Sequence, residues 1–191
     1  MYLMLTEFNK TFKDLNMKKN IIASAFAVAA VLSASSAFAA GGQVNFKGEI
    51  IDAGCEVVNT PSAPLDVTLG QVMKTEFTGA GSTAAATDFT LVLKNCPDTV
   101  HNAMVKFDGT NVTGDTSVLA LTPESGVATG VGIQLADDAN TVLPLFTASK
   151  AYPLSSTADN ELKFVARYIA TSDTVSVGPA NSTANFSVTY N

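Results

Sequence analysis

Val44-Asn45-Phe46-Lys47-Gly48-Glu49-Ile50 sets Val, Phe, Gly and Ile against polar residues in strict alternation, and Phe186-Ser187-Val188-Thr189-Tyr190-Asn191 repeats the pattern at the far end of the chain. A period of two sends successive side chains to opposite faces of an extended backbone, so each stretch reads as a strand with one face to bury. Working inward, Phe89, Leu91 and Leu93 alternate before Cys96, and the same reading predicts strands over residues 65–72, 103–108, 117–121, 130–135, 141–147, 162–170 and 184–190. Between them lie Gly79-Ala80-Gly81-Ser82, Asp108-Gly109, Pro123-Glu124-Ser125-Gly126 and Gly178-Pro179. These are turn chemistries, because Gly accepts positive φ and Pro presets its own φ. The Ala84-Ala85-Ala86 triplet is too short to hold a helix without tertiary help. Many short strands, frequent turns and no long amphipathic helix predict an all-β sandwich or barrel.

The two ends pose a problem that the middle does not. The last alternating segment stops at Asn191, so no further residues are left to cover its outer side. Unless an earlier strand does so, the sheet ends in an open apolar edge, which is an aggregation hazard that proteins blunt or cover. One remedy is a strand donated by another copy, with main-chain hydrogen bonds giving affinity and alternate side chains filling pockets. The first alternating segment follows Gly41-Gly42, a flexible leader, and is either an ordinary first strand or such a donor.

Composition narrows the class. The chain has 191 residues, 47% hydrophobic and 15% charged, enough apolar surface for one folded domain. Met17-Lys18-Lys19-Asn20 is a short cationic start, residues 21–32 are an apolar run, and Ala37-Phe38-Ala39 precedes Ala40 as a small-x-small cleavage site. This order marks residues 1–39 as a secretory signal peptide. Ser33, Ser35 and Ser36 interrupt the run before it reaches the length needed to cross a bilayer. Residues 1–16 precede the charged start, which makes Met17 a candidate initiator. The mature chain keeps 7 basic and 15 acidic residues, a formal charge of −8. That balance argues against a nucleic-acid partner, which demands clustered Lys and Arg. Cys55 and Cys96 both survive processing, and in an exported chain an even pair is read as a disulfide, with two free thiols as the competing reading.

No catalytic or cofactor constellation emerges. One His and two Cys leave too few ligands for a closed zinc site. His101 has no nucleophile motif beside it and the chain lacks a Gly-x-Ser-x-Gly elbow. Asp98 and Asp137-Asp138 lack the regular oxygen spacing of a calcium loop and read as solvated turns. Gly130-Val131-Gly132 sits in a β pattern without the third Gly of a dinucleotide fingerprint. Arg167 is the only arginine and reads as a solvated or paired strand residue. The sequons at Asn111, Asn181 and Asn185 matter only in a eukaryotic secretory route. The expectation is therefore no enzyme, no cofactor and no metal.

Several segments in order resemble one family. They are Val44-Asn45-Phe46-Lys47-Gly48-Glu49, Cys55, Leu69-Gly70-Gln71, the run from Phe89 to Cys96, Val131-Gly132-Ile133-Gln134, Phe164-Val165-Ala166-Arg167-Tyr168 and the terminal Phe186-Ser187-Val188-Thr189-Tyr190. The chain is thereby similar to the chaperone-usher pilins of Gram-negative bacteria, most of all to type 1 fimbrial major subunits. The resemblance implies an incomplete immunoglobulin-like β-sandwich, completed by a donor strand from a neighbouring subunit. It divides the mature chain into an N-terminal donor-strand extension, residues 40–52, and a pilin domain, residues 53–191. It makes Val44, Phe46 and Ile50 the pocket-filling donor side chains, and Gly48 the residue that passes a constriction. Gly178, fourteenth from the end, and Tyr190, next to last, match the family's chaperone-recognition pattern. Phe186, Val188 and Tyr190 then edge the acceptor groove, and a periplasmic chaperone holds the carboxylate of Asn191, where the family usually has Gln. The implied partners are identical subunits, other fimbrial subunits, that chaperone and an outer-membrane usher. The implied location is a fimbria on the cell surface, reached through the periplasm, where it supports adhesion. A minor adaptor or tip subunit with direct carbohydrate-binding adhesin activity is the alternative. Two-domain tip adhesins place a lectin before the pilin unit, whereas this chain has room for one domain.

Overall fold

Where the alternating segments find partners they become strands, and nine form among the described residues, which are 42–51 and 53–191 of this computed structural model. In chain order they are β1 (Glu56–Val57), β2 (Thr83–Lys94), β3 (Asn102–Asp108), β4 (Asn111–Val112), β5 (Asp115–Leu119), β6 (Val131–Asp137), β7 (Tyr152–Pro153), β8 (Asn160–Ala170) and β9 (Asn185–Tyr190). A 3-10 turn at Lys74–Glu76 is the only helical element among these residues. The predicted signal peptide, residues 1–39, lies outside the described part, as do residues 40, 41 and 52 of the predicted extension. The chain divides into two units, Met1–Lys47 and Gly48–Asn191, and the sheets belong to the second. Residues 42–47 of the first are exposed and form neither strand nor helix.

The larger sheet has the order β1-β2-β8-β6-β5-β4 and the smaller the order β7-β3-β9, with every pairing antiparallel. Their inner faces meet in one core. β8 turns Leu162, Phe164 and Ala166 inward, opposite Leu91 and Phe89 of β2 in register, while β3 supplies Ala103, Val105 and Phe107 from the other sheet. Phe164 is fully buried at the centre. Its ring centroid lies 5.6 Å from Phe89, 5.1 Å from Phe107 and 5.5 Å from Tyr152. Offset and edge-on contacts of this kind add to the area term of burial. Cys55 and Cys96 are bonded, which ties the start of β1 to the end of β2. Replacing both by serine is expected to lower stability by about 3–4 kcal/mol, through a looser unfolded chain, and urea denaturation measures it.

Three sequence readings need correction. Residues 65–72 are extended but join no sheet. Residues 141–147 make only an isolated bridge, Val142 with Ala136, and then a turn in which the Thr147 amide donates to the Pro144 carbonyl. Their alternation arises because Leu143 and Leu145 plug the core from a loop, and Pro144 has no N–H to give a ladder. Asp137 is buried rather than solvated: Oδ1 accepts the amides of Ala139 at 2.9 Å and Thr141 at 2.8 Å, closing the turn after β6. The Ala84-Ala85-Ala86 triplet lies in β2 at a bulge, with Ala85 at φ 54°. The two-residue strands β1, β4 and β7 are too short to show a period and went unread.

Lys150 links that turn to the core. Its ammonium pairs with Asp138, lies 3.8 Å from Asp137 Oδ2, and sits 5.2 Å from the centre of the Tyr152 ring. Burial, then the Asp138 and Asp137 carboxylates, push the Tyr152 phenol up to about 12. The folded state thus holds this proton more tightly than the unfolded chain, whose phenol ionises near the ordinary 10.0. The resulting stability is whole below about pH 10 and declines as pH climbs from there to about 12. In a spectrophotometric alkaline titration, Tyr152→Phe is expected to remove the last-ionising phenol.

Candidate functional site

Among the described residues β9 has one neighbour instead of two. It pairs with β3 from Asn185 opposite Asp108 to Tyr190 opposite Ala103. Asn191 and Asn102 exchange both amide bonds, at 3.1 and 3.0 Å, so the hydrogen-bonded positions of this ladder are 191, 189, 187 and 185. The N–H and C=O groups of Phe186, Val188 and Tyr190 therefore point away from β3, towards the free edge. The side chains of the same three residues face inward. They are only half-buried, whereas their counterparts Ala103, Val105 and Phe107 on β3 are fully buried. A strand is missing from this side of the sandwich.

Opposite β9 runs the segment after β1. Ala63 donates to Thr60, and from residue 64 to residue 72 no backbone hydrogen bond forms among the described residues. Pro61 and Pro64 remove two donors where the segment begins. Val67 and Leu69 pack against the core, while Asp66, Thr68 and Gly70 are exposed, so the backbone is strand-like without a partner. Between the two lips lies a groove of about 1040 Å³. Its floor is the core itself: Phe89, Leu91, Phe107, Ile133, Leu135 and Ala166. An apolar floor between two rows of unpaired backbone groups has the chemistry of a slot for one extended chain. A small molecule would leave those backbone groups unanswered.

The predicted site residues fall into separate places. Phe186 and Val188 line the groove. Tyr190 does not line it; its ring lies on Gly54 and its hydroxyl donates to the Cys55 carbonyl at 3.4 Å. The Asn191 main-chain oxygen accepts the amides of His101 at 3.2 Å and Asn102 at 3.0 Å. Gly178 precedes β9, at φ 154°, where an added Cβ would run into the Gly126 carbonyl oxygen, so close backbone approach alone demands glycine there. Val44, Phe46 and Ile50 are exposed, at 73%, 92% and 99%, and a Cβ on Gly48 would meet nothing within 4 Å. Arg167 donates Nε and Nη2 to Gln134 Oε1 at 3.0 and 2.7 Å, as a paired strand residue does. The second lip, residues 61–70, escaped the sequence reading, which took its alternation for an ordinary strand; the two prolines at its start were the available sign. Among the described residues no group of His, Cys, Asp or Glu is placed to hold a metal ion.

A family model described as fimbrial protein matches residues 44–191. Long polar fimbria protein A of Salmonella typhimurium strain LT2 is 37% identical over 176 residues, covering 91% of this chain and 97% of that protein. The crystal structure of the Burkholderia pseudomallei antigen and type I fimbria protein BPSL1626 superposes with a TM-score of 0.56 at 43% identity, over 78% of this chain and 97% of that one. The P pilus rod subunit PapA, 24% identical, superposes with a TM-score of 0.60 over 73% of this chain and the whole of that one. This last likeness concerns the fold, an immunoglobulin-like β-sandwich. The chain belongs to the fimbrial protein family, as a structural subunit of surface fimbriae.

Proposed function

We propose that the chain polymerises head to tail by strand exchange, with residues 44–50 of one copy filling the groove between β9 and residues 61–70 of the next. The observation that carries this reading is the groove itself, with its apolar floor and unpaired backbone on both lips. The seven-residue donor suits a lip as long as β9, since strands rise by about 3.3 Å per residue. Val44, Phe46 and Ile50 share one face of it and Gly48 adds no bulk. The extension and the groove are different surfaces, so the contact is heterologous and need not close, which is the geometry of a filament.

An open groove of this kind is an aggregation hazard during export. A periplasmic chaperone that lends a strand, and an outer-membrane usher that exchanges it for the next subunit's extension, answer that hazard. The resemblance puts the chaperone's cationic contact at Asn191 and its strand along Phe186, Val188 and Tyr190. On this reading the protein reaches the surface through the periplasm and forms the fibre shaft, with no catalytic step. Expressing the chain with and without its cognate chaperone, then imaging the cells by immunogold electron microscopy, tests this. Label along the whole fibre, lost when the chaperone is absent, is the expected result. Label confined to one end would make it a tip or adaptor subunit instead.

A further inference from the structure

Arg167 is the only arginine in the chain, and it stands in the middle of the outer face of the large sheet. On β8, Leu162, Phe164, Ala166 and Tyr168 turn into the core, so residue 167 points the other way. It lies directly opposite Gln134 of β6, whose carboxamide oxygen accepts Nε and Nη2 of the guanidinium. Gln134 is itself only 7% exposed, so this contact fixes the fork in place. On the other flank β2 bulges. Its register with β8 jumps from Ala84 opposite Tyr168 to Thr87 opposite Ala166, which leaves Ala85 and Ala86 beside Arg167. Ala85 takes φ 54° there, a conformation that costs a residue with a Cβ, and a methyl offers the guanidinium no polar partner.

The arrangement leaves a cation without an anion. An arginine carries more N–H groups than these two bonds use, and both bonds go to one neutral oxygen along the Nε–Nη2 edge. The Nη1–Nη2 edge, an end that can grip a carboxylate with two parallel bonds, has no acceptor among the described residues. Neither has the amide nitrogen of Gln134. No side-chain N or O sealed from solvent lacks a partner, so these donors lie at the surface. Every ion pair among the described residues is made by a lysine. Asp88, opposite Val165 and so diagonal to Arg167, makes none.

We infer that Arg167, held by Gln134, is a socket for a carboxylate of another copy of this chain, through which copies in a fibre touch side by side; this rests on reading the chain as a strand-exchange polymer. The occupant is argued from charge. The mature chain carries 15 acidic residues against 7 basic, a formal charge of −8, so copies repel one another wherever they come close. A fibre keeps them close. A preset guanidinium facing a neighbour's carboxylate turns one point of that repulsion into a charge-assisted contact, and Gln134 has already ordered the fork. Arginine suits this better than lysine, because its planar fork stays charged and meets a carboxylate with two bonds at once.

Because the chain has a single arginine, the arginine-selective dicarbonyl phenylglyoxal reports on this site alone. It is applied to assembled fibres and to the mature chain bearing Val44→Asp and Phe46→Asp, which removes the apolar donor side chains and keeps that chain unassembled. Intact mass follows the adduct, and circular dichroism checks the fold. Modification in the fibre is expected to be slower by about tenfold or more, since a charge-assisted bond must open first. Equal rates would overturn the socket while leaving strand exchange intact. The partner is identified with Arg167→Lys, which supplies an ammonium for carbodiimide coupling, in fibres grown from mixed isotope-labelled and unlabelled subunits. The expected product is an amide joining position 167 of one copy to an aspartate or glutamate of another, seen as a labelled peptide linked to an unlabelled one. Links confined to one isotope, as to Asp88 of the same copy, would overturn the proposal, and so would no link at all. Should Arg167→Lys fail to assemble, the reaction rates of the unsubstituted Arg167 decide. No fibres from the parent chain would overturn the strand-exchange reading, and the socket with it.

Discussion

A chain lacking residues 42–50 is expected to be exported and oxidised, and to leave no fibre on the cell surface. The core explains why folding survives: among the described residues none before Cys55 belongs to it, and the bond between Cys55 and Cys96 is untouched. What disappears is the only segment proposed to enter the groove of the next copy. Val44, Phe46 and Ile50 are exposed, and burying the three together would contribute about 6 kcal/mol. That corresponds to a loss of roughly 10⁴ in affinity when they are absent. Gly48→Leu is expected to block fibres by a different route. A Cβ at that position would meet nothing within 4 Å, so a side chain there starts in open space and the domain is expected to stay folded, but it adds bulk where the donor must lie flat. Electron microscopy of the cells, with a blot for periplasmic protein, reads both results. Fibres of normal length from either variant would contradict the donor assignment.

The second large effect is on stability. Phe89, Leu91, Phe107 and Leu135 line the groove along one side of the core, and among the described residues the amides of Phe186 and Val188 lack a strand partner. A peptide with the sequence of residues 42–51, added in trans, binds the folded state only. At a thousandfold excess over Kd it is expected to stabilise the domain by about 4 kcal/mol, a rise in Tm of about 12 °C. A peptide with aspartate in place of Phe46 and Ile50 is expected to give no rise, because its charges would enter an apolar floor unpaired. Scanning calorimetry on the folded mature chain distinguishes the two. Equal Tm values with either peptide would mean that the groove does not select an alternating apolar strand.

Much of this arrangement is legible in the sequence, for a definite reason. A strand that buries one face and pairs on both edges, such as β3, leaves a clean period of two, and the predicted spans of β3 and β8 agree with the sheets to within two residues. Phe186, Val188 and Tyr190 carry the same signal on β9, whose outer edge has no strand partner among the described residues. Period alone could not distinguish a paired strand from an unpaired one. Residues 65–72 alternate because Val67 and Leu69 touch the core, yet the hydrogen-bonding partner is absent. Residues 141–147 alternate because Leu143 and Leu145 are plugs on a loop. Asp137 read as a surface turn because nothing local announces that its carboxylate caps two amides beneath Lys150. Gly54 gave no sign at all. Its need for a bare Cα comes from a residue 136 positions away, a contact that only the folded chain creates.

A cryo-electron microscopy reconstruction of the assembled fibre tests the central claim most directly. The account predicts one extended strand of density between β9 and residues 61–70, traceable through Val44, Phe46, Gly48 and Ile50 to the domain of an adjacent subunit. A groove left empty, or filled by the subunit's own residues 44–50, would contradict it.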